Sequence, residues 1–128
     1  MRGHEDIGQV AQAQAPPQSA SMPGTRLSIA ACISVEVVDL RTLVPLDMHR
    51  VLESVKKTGR VVVVHEAPKS CGLGSEIVAL INEKCFLHLE APPKRVTGFD
   101  TPFPYTLENE YLPLSHRIVP AVVETAQY

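Results

Sequence analysis

Four consecutive valines, Val61–Val64, stand between Gly59-Arg60 and His65-Glu66. A strand with one face in water alternates apolar and polar side chains. An uninterrupted apolar run of this length, bounded by turns, reads as a strand covered on both faces. The spacing predicts a strand over Arg60–Glu66 and requires packing layers above and below it.

The flanking sequence supplies those layers. Met48, Val51, Leu52 and Val55 recur at i, i+3, i+4 and i+7, an amphipathic helix of about three turns. Asp47 suits its N-cap, Gly59 the left-handed position that ends it, and Lys56 and Lys57 complement its C-terminal dipole. A second helix is predicted over Leu73–Leu87, with Leu73, Ile77, Leu80 and Ile81 along one stripe and Pro92-Pro93 blocking its continuation. Ser34–Leu40 and Lys94–Phe99 read as strands, and Asp100–Leu114 as a long loop. A last helix is expected from Ser115 to Gln127, with Pro120 either delaying its start or kinking it. Strands alternating with helices predict an α/β fold, an open three-layer sheet whose neighbouring strands are mostly parallel. Three strands make a thin sheet, so an element is missing before Ser34.

Residues 1–26 differ in character. Segments such as AQAQAPPQSASMPG are rich in Ala, Gln, Pro and Ser. That composition buries too little surface to offset chain ordering and predicts disorder. Glu5 and Asp6 beside Arg2 do not fit an Arg-rich, acid-poor transit peptide. The chain therefore divides into a disordered or unrelated segment, 1–32, and a partial domain, 33–128. A formal net charge of −2 gives no footprint for nucleic acid or an anionic membrane, and no apolar run reaches the length of a membrane span. Cys32, Cys71 and Cys85 form no C-x-x-C pair and no zinc spacing.

Several residues are candidates for chemistry. Gly72-Leu73-Gly74-Ser75 follows a strand and opens a helix, as a phosphate-binding loop would. Ile77 stands where the third glycine of G-x-G-x-x-G belongs, and no Walker lysine follows, so the match is weak. A helix entry that lets backbone pack closely is the competing reading. His65 and Glu66 end the buried strand, where ligand crevices of α/β sheets lie. As neighbours on a strand they point to opposite faces and do not act together on one atom. A structural histidine paired with backbone fits His65 better. His49, His88 and His116 define no metal spacing.

The runs VEVVDLRTLVPLD (35–47), SVKKTGRVVVVHEAP (54–68), GLGSEI (72–77), RVTGFDTPFP (95–104) and YLPLSHRIVPAV (111–122) resemble, in the right order, the transketolase C-terminal-like domain. That domain ends the β-subunits of thiamine-diphosphate-dependent 2-oxo acid dehydrogenases. His65-Glu66-Ala67-Pro68, Leu89-Glu90-Ala91-Pro92 and Asp100-Thr101-Pro102-Phe103-Pro104 look more like the branched-chain type than the pyruvate type. In the family this domain begins with a strand and an amphipathic helix ahead of the SVEVVDL strand. A pyrimidine-binding domain precedes it. Neither is recognisable in residues 1–32, as in a truncated or mis-spliced product.

The resemblance implies a non-catalytic role for this chain, with no cofactor bound by it and thiamine diphosphate and Mg held in the intact complex. The implied partners are a decarboxylase α-subunit, a second β-subunit and the peripheral-subunit-binding domain of an acyltransferase core. It further implies that Glu90 and the final residue, Tyr128, make the docking contact with that core; a solvated loop acid is the plain alternative for Glu90. The implied compartment is the mitochondrial matrix in a eukaryote and the cytoplasm otherwise. A different class of function stays open: a stand-alone α/β module binding an anion or small ligand at Gly72, Gly74 and Ser75.

Overall fold

The computed structural model describes residues 9–14 and 33–128. The chain runs β1 (Gln9–Gln14), β2 (Ser34–Asp39), α1 (Met48–Thr58), β3 (Val62–Pro68), α2 (Leu73–Cys85), a 3-10 turn (Phe86–His88), β4 (Lys94–Gly98), α3 (Glu108–Tyr111) and α4 (Ser115–Gln127). The valine run organises the core as its pattern requires. Val61 and Val63 pack with Val51, Val55, Ile77, Ile81 and Cys85, under α1 and α2. Val62 and Val64 pack on the other side with Val96, Ala121, Val122 and Ala126, under α4. The three-layer α/β architecture follows directly from that alternation.

The sheet order is β2-β1-β3-β4, and two expectations need correction here. First, disorder was expected across the N-terminal segment, yet Gln9–Gln14 form a strand in the middle of the sheet. Gln9, Val10 and Ala11 pair on one edge with Asp39, Val38 and Val37, and on the other with Val64, Val63 and Val62. Composition measures how much surface side chains can bury. A slot between two strands instead rewards any segment whose backbone N–H and C=O groups can satisfy both edges. The rest of the disorder expected over residues 1–26 lies outside the described residues. Second, neighbours were expected to be mostly parallel. β3 and β4 are parallel, but β1 runs antiparallel to both β2 and β3. Three strands thus share one direction and β1 is reversed between them.

The helix ends behave as read. Asp47 accepts the Arg50 N–H at 3.3 Å, and Gly59 (φ 67°) closes α1, its N–H donating to the Val55 carbonyl. Pro120 does not delay the helix: α4 runs from Ser115 to Gln127 with Pro120 inside it. Pro120 lies on the exposed side of the helix, so water can serve the carbonyl that its ring leaves without a partner. The predicted loop over 100–114 contains the short helix α3, whose Tyr111 is buried, packs edge-on against Phe99 and Phe103, and donates its hydroxyl to the Phe99 carbonyl.

Candidate functional site

Glu90 lies between the 3-10 turn and β4, in a segment stitched to the start of β3. Its N–H donates to the Gly59 carbonyl at 2.7 Å, and four residues later the Lys94 N–H donates to the Val61 carbonyl at 3.0 Å. The Arg60 guanidinium, between those two anchors, donates through Nη1 to Glu90 Oε2. The Arg60 side chain is 12% exposed and that of Glu90 61%, so a nearly buried cation holds an accessible carboxylate. Gly59 lies beneath it at φ 67°, where a side chain is strained, and a Cβ there would also stand 2.8 Å from Glu90 Cγ.

Tyr128 comes to the same region. It shares a shallow groove with Ala91, Pro92, Pro93 and Lys94, the residues immediately after Glu90, and with Glu124 of α4. Tyr128 is 75% exposed on that groove, while Lys94 and Glu124 pair across it. Glu90 itself does not line that groove; it directly precedes the lining run Ala91–Lys94. Arg60 is the residue that sequence reasoning missed. No sequence pattern announces the pair; it follows from the parallel pairing of β3 with β4, with Val62 opposite Lys94, which brings the segments just before the two strands side by side.

The glycine-rich loop is organised differently. His65, 8% exposed in the middle of β3, accepts the Gly74 N–H on Nε2 at 3.2 Å. A Cβ on Gly74 would lie 2.4 Å from that nitrogen, so the glycine is what admits the imidazole against the helix. Gly72 is the N-cap in extended conformation. The Ser75 hydroxyl accepts from Arg95 Nη1 at 2.5 Å, and the same guanidinium nitrogen donates to the Lys69 carbonyl at 2.9 Å. Gly72, Gly74 and Ser75 do lie together at the start of α2. The Gly74 amide and the Ser75 hydroxyl, which an anion would call on, are engaged within the protein. Across the loop, Asp100 accepts from the Ser70 N–H at 2.8 Å and hydroxyl at 2.7 Å, and these bonds hold its carboxyl below the usual range.

Burial, and secondarily the charge of Arg95, lower the His65 pKa from the ordinary imidazole value. The ring is therefore neutral at physiological pH. Because Nε2 accepts, the proton sits on Nδ1, which is buried and makes no hydrogen bond among the described residues. Protonation would turn Nε2 into a donor facing the Gly74 N–H at the positive end of α2. A histidine whose folded pKa is depressed contributes stability present above its unfolded value, and that stability is lost as pH falls through the folded value. The thermal midpoint is accordingly expected to fall between neutral pH and about pH 5. His65→Gln, which keeps an acceptor but does not titrate, is expected to flatten that part of the profile. Parallel profiles for the two proteins would contradict the assignment.

Among the described residues no group of three or more His, Cys, Asp or Glu side chains could hold a metal ion, and no helix is long and apolar enough to cross a membrane. Residues 26–118 match the transketolase C-terminal domain. The chain belongs to that family. This transketolase C-terminal domain is 53% identical over 107 residues to a mitochondrial 2-oxoisovalerate dehydrogenase β-subunit of Dictyostelium discoideum, covering 84% of this chain and 28% of the relative. It is 51% identical over 96 residues to a mitochondrial 2-oxoisovalerate dehydrogenase β-subunit of Arabidopsis thaliana, covering 75% of this chain and 27% of the relative. A pyruvate dehydrogenase β-subunit of Leifsonia xyli is 54% identical over 96 residues, which cover 74% of this chain and 28% of that protein. The chain thus spans about a quarter of the length of these relatives.

Proposed function

We propose that this chain is the non-catalytic C-terminal domain of a β-subunit in a thiamine-diphosphate-dependent 2-oxo acid dehydrogenase, of the branched-chain type. Its work is assembly with an α-subunit and a second β-subunit, and docking of the acyltransferase core. The observation that carries the docking role is the groove where Tyr128 meets Ala91–Lys94 beside the accessible Glu90 carboxylate. A small basic binding domain has there an aromatic ring to pack on and a carboxylate to bond. Aromatic and arginine anchors of this kind dominate the energetics of interfaces.

Docking is tested with the domain carried in a complete β-subunit assembled with its α partner, titrated with the core's binding domain. Tyr128→Ala is expected to weaken capture about tenfold or more, as removal of an interfacial tyrosine anchor does. Unchanged affinity would remove the groove from the interface.

The same reading assigns thiamine diphosphate and Mg to other parts of the complex. Calorimetric titration of this chain with both is expected to show no saturable heat. Binding near micromolar, about −8 kcal/mol, would contradict the non-catalytic assignment. The mitochondrial names of the Dictyostelium and Arabidopsis relatives support a matrix location in a eukaryotic source. The same domain in a bacterium would work in the cytoplasm.

A further inference from the structure

We propose that Arg60 is the positioning residue of the docking carboxylate, an inference that rests on the docking role of Glu90. A glutamate at the end of a loop ordinarily samples many rotamers and loses that freedom when a partner binds. Here the main chain of the segment is pinned at both ends, by Glu90 N–H to the Gly59 carbonyl and Lys94 N–H to the Val61 carbonyl. The side chain is pinned at its tip, where Arg60 Nη1 takes Oε2. Arg60 in turn has little freedom. Its side chain is 12% exposed, and its carbonyl accepts from the Thr58 hydroxyl at 3.2 Å, which also donates to the Ser54 carbonyl at 2.9 Å. The cation is built into the junction of α1 and β3, and the accessible carboxylate is fixed to it.

A carboxylate offers about four acceptor positions. With Oε2 held by Arg60, the other oxygen remains for a guanidinium or ammonium group of a basic partner, in a geometry fixed before the partner arrives. Two consequences of Arg60 oppose one another. Its charge partly neutralises Glu90 and repels an incoming cation, while its bond removes the cost of ordering the side chain. The partner's cation approaches the other oxygen, so the carboxylate lies between the two positive groups and offsets their repulsion when the surfaces close. The ordering benefit has no such offset, so positioning outweighs neutralisation. Arg60 therefore aids docking without touching the partner.

A double-mutant cycle in the complete β-subunit, assembled with its α partner, tests this by measuring affinity for the core's basic binding domain. Arg60→Met and Glu90→Gln are each expected to lower affinity about tenfold, and the double variant to bind no more weakly than Glu90→Gln alone. Arg60→Lys, which keeps the charge but not the planar fork, is expected to recover part of the loss. If Arg60→Met prevents folding, the comparison of Arg60→Lys with the parent, in the presence and absence of Glu90→Gln, gives the same coupling. Arg60→Met binding as well as the parent or more tightly, while Glu90→Gln loses affinity, would overturn the positioning role and leave the docking role standing. Additive losses would also overturn it, because Arg60 would then act independently of Glu90. If Glu90→Gln itself binds like the parent, the docking role fails and the inference falls with it.

Discussion

Ala11→Pro is expected to destabilise the domain by several kcal/mol, enough to remove much of the 5–15 kcal/mol that holds an ordinary domain folded. Ala11 lies in an interior strand, at a point where it has neighbours on both edges, opposite Val37 of β2 and Val62 of β3. Proline has no N–H to donate and is confined to edges and bulges of sheets. The carbonyl that the Ala11 N–H serves in the ladder would lose its donor, at about 1–3 kcal/mol where no water replaces it, and the ring would add a steric cost. The disturbance reaches both layers, because Val61–Val64 on β3 serves the α1/α2 core and the α4 core together. Gln14→Pro is the control. Gln14 pairs with Ser34 of β2 at the far end of the strand and has no partner on β3 in the ladder, so its loss is expected to be much smaller. Urea unfolding of both variants and the parent measures the difference. Equal midpoints for all three would show that residues 9–14 do not occupy the slot.

Much of this fold was legible because its determinants are local. The valine run carried the two-sided core, Asp47 and Gly59 the limits of α1, and the stripe through Ile77 and Ile81 the buried face of α2. Strand β1 was not legible. QVAQAQ has no apolar face to announce a strand, and its place depends on β2 and β3 presenting edges that lie far along the chain. The continuity of α4 was hidden for a related reason, since whether a helix tolerates Pro120 depends on which side of it meets water. At the candidate site, Glu90 and Tyr128 came from resemblance to a family, whereas periodicity alone left Glu90 a loop acid. Arg60 escaped because its partner is 30 residues away and no local pattern links them. His65 was readable in kind, as a histidine satisfied by backbone. That its partner is the Gly74 amide became visible only once α2 was packed against β3.

Glu90→Ala has the largest expected effect on partner binding. Charge-assisted hydrogen bonds to an arginine exceed neutral ones, and removing one partner of a desolvated pair costs roughly 2–5 kcal/mol. The substitution also leaves the nearly buried Arg60 without its carboxylate, so a partner's cation would meet a positive face in place of an ion pair. Glu108→Ala is the matched control, an acid at the first position of α3 outside the Glu90–Lys94 segment and the Tyr128 groove. The measurement is the equilibrium affinity of the core's binding domain for the complete β-subunit with its α partner, at one fixed salt concentration and well below the unfolding temperature of each variant. Glu90→Ala is expected to bind well over tenfold more weakly than the parent and Glu108→Ala to bind like it; parent-like affinity for Glu90→Ala, with the loss appearing in Glu108→Ala, would place the interface on the α3 loop and contradict the account.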